Sequence, residues 1–229
     1  MKPWMRQTCT AAAGAGAVAA GVGWAQAAHR LHHRTRQLRI AHRDPVTGLL
    51  TRSGWESTAP EALHRSTVCG LLDLDGFKQI NDTFGHASGD HVLRAVARRV
   101  RGVLPADSVF ARLGGDEFVF LANWNPGEIG TAADELLDVI TAPLPVGERG
   151  VHVGCSTGLV LLRDLPSRPV LLREAVTAAD RAMYEAKLFR SGWCRHDPLL
   201  HADPPTAHCS TPLERVRDHG PQPHFGRTP

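Results

Sequence analysis

Two short stretches concentrate acids where an apolar run ends. Asp73 closes the run "VCGLLD" (Val68 to Asp73), and Asp116 with Glu117 follows Gly114-Gly115 in "ARLGGDEFVFLANW" (Ala111 to Trp124). Gly-Gly between apolar segments reads as a tight hairpin turn, because both turn positions can take positive φ. A surface hairpin has no need of two carboxylates directly after that turn. If the segments carrying Asp73 and Asp116 are neighbours in one sheet, both carboxylates converge at one edge. Converging, partly buried carboxylates repel each other and stay ionised only with a cation between them. Hard oxygen ligands of this kind suit Mg²⁺, which holds phosphates while keeping part of its water. Each acid taken alone is better explained as a solvated group at a strand end.

The segment after Asp73, "LDLDGFKQINDTFGHASGDHVL", adds phosphate and base chemistry. Gly76-Phe77-Lys78 is a turn opening a helix, where backbone N–H groups and the positive helix end favour a phosphate. Asn81 and Asp90 can read a base edge: an ionised Asp accepts two N–H donors from guanine, and Asn both donates and accepts. Gly85 and Gly89 bracket a turn between two helices. A helix-turn-helix capped by Asn81 or Asp82 accounts for the same residues without any ligand.

These groups need elements to hold them. "VCGLLDLDGF" has the pattern of a buried strand ending in acids, and "SVFARL" and "EFVFLA" flank Gly114-Gly115 as a hairpin. "GDHVLRAVARRVRGVL" puts Val92, Leu93, Val96, Val100 and Leu104 on one helical face and arginines on the other. "ADELLDVI" reads as a helix and "GVHVGCSTGLVLL" as a strand. "PVLLREAVTAADRAMYEAKLF" repeats Leu172, Ala175, Val176, Ala179, Met183 and Ala186 at helical spacing. Strands and helices interleave around a hairpin, which predicts an α+β fold with a mixed, mostly antiparallel sheet and helices packed on it.

The chain has 229 residues, 42% apolar and 21% charged, enough for one sizeable core. Its formal net charge of +3 comes largely from Arg30 to Arg43, which describes a local segment and not a nucleic-acid-binding face. The five cysteines include no C-x-x-C pair, which points to reduced thiols in a cytosolic compartment. Residues 1–43 divide into an Ala/Gly-rich stretch, "TCTAAAGAGAVAAGVGWAQAA", and a basic linker. Residues 8–28 suit a weak membrane anchor, a low-complexity start, or a secretory leader with Ala25-Gln26-Ala27 as its cleavage site. As an anchor, the stretch would leave the following basic run and the folded unit on the inner face of the membrane. Leu31 and Leu38 stand one heptad apart, a hint of helix pairing within an otherwise solvated linker. The folded unit is expected over 44–194, and the Pro- and His-rich residues 195–229 are expected to be disordered.

Five segments in one order then resemble a known family. "DPVTGLLTR" (Asp44 to Arg52), "DLDGFKQINDTFGHASGD" (Asp73 to Asp90), "RLGGDEF" (Arg112 to Phe118), "STG" (Ser156 to Gly158) and "ADRAMYEAK" (Ala179 to Lys187) resemble the GGDEF family of diguanylate cyclases. The resemblance implies a fold related to adenylate cyclase and polymerase palm domains. It implies condensation of two GTP into cyclic di-GMP and two pyrophosphates, with Mg²⁺ or Mn²⁺, across a homodimer. It further implies that Asp73 is a metal ligand, Leu74 adds its backbone carbonyl, Asp116 is both ligand and base, and Glu117 is a further acidic ligand. Phe77 and Lys78 would meet phosphates, Asn81 and Asp90 would hold guanine, and His86 would assist the substrate. Gly114 and Gly115 would let backbone lie against the nucleotide, and Lys187 would neutralise terminal phosphate charge. The alternative within the same resemblance is a catalytically silent domain that binds GTP or a protein partner.

The match has departures. The family continues after Ala-Lys with x-x-Gly-Arg-Asn, whereas Lys187 is followed by "LFRSGW", so Arg190 stands one place early and Ser191 takes the arginine position. The family's Arg-x-x-Asp product-inhibition site falls on Pro105-Ala106-Asp107-Ser108, and Thr51 replaces a frequent Asn. "HRLHHR" and the group Cys194, His196, His201, His208 and Cys209 fit no regular zinc spacing. Cys69 and Cys155 suit core positions better than nucleophiles, and Trp55, Trp124 and Trp193 suit packing.

Overall fold

The computed structural model describes residues 42–146 and 149–198. The expected anchor at 8–28, the heptad pair Leu31/Leu38 and the tail beyond Pro198 lie outside the described residues. Among the described residues no helix is long and apolar enough to cross a membrane.

Helix α1 (Arg52–Leu63) starts where Thr51 accepts a hydrogen bond from the Gly54 amide at 3.2 Å. Thr51 therefore does the capping that a polar residue at that position must do. Strand β1 (Val68–Asp75) leads through Gly76, in left-handed conformation at φ 74°, into α2 (Phe77–Phe84) and α3 (His86–Val103). The hairpin β2 (Val109–Gly114) and β3 (Glu117–Ala122) comes next, followed by α4 (Ile129–Thr141). A small hairpin of β4 (Leu144–Val146) and β5 (Arg149–Val151) precedes β6 (Gly154–Leu161), α5 (Leu172–Phe189) and β7 (Trp193–Arg195).

The main sheet has the order β2-β3-β1-β6-β7, antiparallel except for the β6/β7 pair. That is the mixed, mostly antiparallel sheet the sequence predicts. Alternation along β1 divides the core into two layers. Val68, Leu72 and Leu74 pack with Phe118, Phe120 and the apolar stripes of α2, α3 and α4. Cys69 and Leu71 pack on the other face with Val119, Leu121, α1 and α5. The stripe Val92, Leu93, Val96, Val100 and Leu104 is buried as its spacing requires. Helix α5 lies directly on β6: a Cβ at Gly158 would stand 2.0 Å from the Ala179 carbonyl oxygen and 2.2 Å from the Met183 nitrogen.

Several details differ from the sequence reading. The hairpin turn consists of Gly115 and Asp116; Gly114 ends β2, at φ 148°, after a shift of register between Arg112 and Gly114. Asp116 therefore stands in the turn and not after it. Gly89 lies inside α3, and Gly85 alone joins the two helices. The reason is packing, because a Cβ at Gly89 would meet the Asn81 side-chain oxygen at 1.9 Å. "GVHVGCSTGLVLL" forms β5 and β6 with a break at His152 and Val153. At the far edge, β7 takes in Arg195, and His196 beyond it is buried, so packed structure continues past residue 194.

Candidate active site

Asp73 and Asp75 project from β1 on the face beneath α5, because they alternate with Leu74 and share the parity of Cys69 and Leu71. Glu117 stands directly opposite Asp73 in the β1/β3 register and therefore on the same face. The Leu74 amide donates to the Asp116 carbonyl at 3.3 Å, which fixes the turn against the end of β1. From the last turn of α5, Lys187 reaches the same point, with Nζ 2.8 Å from Asp73 Oδ1. Ser156 on β6 donates its hydroxyl to Asp75 at 3.0 and 3.2 Å. Four acids and one lysine thus gather at the end of the sheet.

The electrostatics follow from that crowding. Partial burial pushes the Asp116 carboxyl up to about 6, the Asp73 charge adds to the rise, and Lys187 opposes it. Asp116 is half-buried in a turn with like charges on two sides and one ammonium within reach of Asp73 instead.

The turn is braced from a distance. Arg112 donates from Nε and Nη2 to the Gly115 carbonyl at 2.9 and 2.7 Å, and from Nη1 to both Asp44 oxygens at 3.1 Å. Asp44 also accepts from the Thr47 amide at 2.7 Å and hydroxyl at 2.6 Å. Burial alone would raise the Asp44 carboxyl, but the bonds from Thr47 and the Arg112 guanidinium outweigh it and hold the group below its usual range. Gly115 takes φ 52° and its absent Cβ would meet nothing within 4 Å of the chain itself. Within the protein, glycine is needed there for backbone conformation.

On the other face, α2 and α3 present the polar residues. Gly76 carries no side-chain cap, so the first N–H groups of α2 are left to a ligand or solvent. Phe77 is buried in the core and offers only its backbone there, while Lys78 is exposed. Asn81 and Asp90 are half-buried and His86 is exposed at the start of α3. Asp90 is 3.6 Å from Arg94 in an open pair that constrains it little. The expected base-reading residues lie on one side of the sheet end and Lys187 on the other, so a nucleotide touching both must lie across the β1–α2 turn.

A divalent cation fits this donor set in a limited way. Among the described residues no three His, Cys, Asp or Glu side chains form a metal-binding group by themselves. Asp73, Asp116 and the Leu74 carbonyl would instead offer a partial set of hard oxygens, the kind a divalent cation accepts when phosphates and water complete its shell. Burial and then the neighbouring Asp73 charge raise the Asp116 carboxyl, and such a cation would offset both.

A family model described as "Diguanylate cyclase, GGDEF domain" matches residues 41–191. The chain belongs to the GGDEF family. An uncharacterized 19.3 kDa protein of Streptomyces ambofaciens is 40% identical over 176 residues, 72% of this chain and 87% of that protein. The bifunctional diguanylate cyclase/cyclic di-GMP phosphodiesterase MucR of Pseudomonas aeruginosa is 38% identical over 174 residues, 72% of this chain and 25% of MucR. The diguanylate cyclase TpbB of the same species is 38% identical over 156 residues, 64% of this chain and 35% of TpbB. The solved GGDEF domain of TpbB superposes with a TM-score of 0.59 at 31% identity, covering 71% of this chain and 100% of that one. The chain thus spans roughly a quarter to a third of the relatives named as cyclases. These relatives support a nucleotidyltransferase-type enzyme.

The departures of this GGDEF domain now have positions. Ser191, in the family's arginine position, gives its amide to the Ala186 carbonyl at 3.1 Å and its hydroxyl to the Trp193 carbonyl at 3.1 Å. Arg190 ends α5 in left-handed conformation at φ 52°. It lines a cleft of about 550 Å³ together with Lys187, Ser191, Asp75 and Ser156. Pro105 to Ser108 form the loop between α3 and β2, and the buried Ser108 carbonyl accepts from Arg101 at 3.0 Å. Burial pushes the Cys69 and Cys155 thiols up to about 12, which suits packing and not nucleophilic work.

Two groups at the site escape the sequence reading. Asp75 could have been found, since it follows Asp73 by two residues on a strand and must share its face. The Asp44–Arg112 brace carried no signal, because its partners are separated by 68 residues.

Proposed function

We propose that this GGDEF domain is a diguanylate cyclase that condenses two GTP into cyclic di-GMP and two pyrophosphates. What carries the proposal is one juxtaposition: Asp73 opposite Glu117 in register, with Asp116 in the adjoining turn. Asp73, Asp116 and the Leu74 carbonyl would hold Mg²⁺ or Mn²⁺, with Glu117 as a further acidic ligand. That ion would neutralise triphosphate charge and make the ribose 3′-hydroxyl more acidic.

The chain's own residues then have separate tasks. The α2 N-terminus at Phe77 and Lys78 binds phosphate, Asn81 and Asp90 orient guanine, and His86 closes on the substrate from α3. Lys187 and Arg190 take the β- and γ-phosphate end. The Asp116 carboxylate accepts the proton of the 3′-hydroxyl, whose oxygen attacks the α-phosphorus of the other GTP. The new P–O bond forms as the α–β bridge breaks, and pyrophosphate leaves with the electron pair. Two such steps close the ring. One domain presents one nucleotide site, so the second GTP comes from a second copy facing it across a two-fold axis. GTP as substrate places the domain in the cytoplasm.

The purified full chain, incubated with GTP and Mg²⁺, should form cyclic di-GMP by mass spectrometry, at a rate rising more steeply than linearly with protein concentration. GTP binding without any cyclic dinucleotide, at every concentration, would establish the silent signalling domain instead.

A further inference from the structure

Lys187 already pairs with the carboxylate that would hold a divalent cation, its Nζ 2.8 Å from Asp73 Oδ1. We propose that Lys187 is a placeholder cation. It holds Asp73 until a nucleoside triphosphate offers its ammonium phosphate oxygens, so metal and nucleotide enter together and metal alone binds weakly. The inference rests on the cyclase reading above and states how that site is kept closed to free metal.

Three observations support the exchange. An ammonium 2.8 Å from Oδ1 and a divalent cation on the same carboxylate would be like charges a few ångströms apart, so each weakens the other's hold. The backbone of Lys187 cannot retreat, because Gly158 brings α5 against β6 without room for a Cβ and Ala186 is fully buried. Only the flexible four-carbon stem moves. It has a second place to go: the cleft of about 550 Å³, where Arg190 and Ser191 line the wall beside it. Asp75, the acid on that wall, already accepts from Ser156. A compact lysine ammonium resembles a metal's point charge more closely than the planar arginine fork does.

The test is Mn²⁺ binding to the full chain without nucleotide, read from the paramagnetic resonance signal of the free ion. Lys187→Met should bind Mn²⁺ at least about tenfold more tightly than wild type, and Asp73→Asn added to it should abolish that gain. Lys187→Met binding no tighter than wild type, or a gain that survives Asp73→Asn, would overturn the proposal. A measurement on the wild-type chain covers a variant that does not fold. The Lys187 side-chain ¹⁵N resonance should stay in place with Mg²⁺ alone and shift when Mg²⁺ is added with α,β-methylene GTP. A full shift with Mg²⁺ alone would refute the exchange. Failure to form cyclic di-GMP would overturn the cyclase reading while leaving the Mn²⁺ result to decide this one.

Discussion

Replacing Asp116 with Asn removes a charge that the fold holds at a cost. The Asp116 carboxyl rises from 3.8 to about 6 on folding, through partial burial and the neighbouring Asp73 charge. A shift of that size corresponds to about 3 kcal/mol in full, and solvent screening of a half-buried turn reduces it to about 1–2 kcal/mol. The sign follows from proton uptake. Between pH 4 and 6 the folded chain binds this proton more tightly than the unfolded chain, so stability falls as pH rises through that window. Asn does not ionise and escapes the penalty. Urea or thermal unfolding in the presence of a chelator should therefore show Asp116→Asn matching wild type near pH 4. Above pH 6 it should exceed wild type by about 1–2 kcal/mol, or roughly 2–8 °C in Tm. The same variant should form no cyclic di-GMP. A variant less stable than wild type at pH 7.5, or a difference independent of pH, would refute the electrostatic account of the site.

Three further outcomes are expected. Gly158→Ala drives a methyl group into the α5 backbone and should destabilise the domain by about 3 kcal/mol in urea titration, where a neutral effect would contradict the packing described. Arg112→Met releases the Gly115 carbonyl and leaves Asp44 with Thr47 as its remaining donor, which should cost about 1–3 kcal/mol and lower turnover of GTP at saturating substrate. Cys69 and Cys155, followed by peptide mapping, should resist iodoacetamide at pH 8 in the native chain and react only in denaturant.

The sequence spoke most clearly where one local pattern decides structure. The stripe of α3, the small-residue face of α5 and the apolar run ending at Asp73 each follow from a single period, and each sits where that period places it. What stayed hidden depends on pairs distant along the chain. Lys187 meets Asp73 only because α5 lies across β6 and β1, and no spacing between positions 73 and 187 announces it. The shift of the hairpin turn onto Gly115 and Asp116 comes from an irregular register that any Gly-Gly pair permits equally in either frame. Strand β7 is three residues long at a parallel edge, too short to show alternation, and is held by hydrogen bonds from Thr157 to Gly192 and from His196 to Leu159. The base-reading side of the site was legible as residue types, while its geometry depended on Gly89 letting Asn81 lie against α3.

The most direct test of the site is a crystal of the full chain grown with Mn²⁺ and α,β-methylene GTP, with data collected at the manganese absorption edge. An anomalous peak bonded to carboxylate oxygens of both Asp73 and Asp116, beside the triphosphate, is the predicted result. Manganese bound elsewhere, or the two carboxylates turned to opposite faces of the sheet around a bound nucleotide, would contradict it.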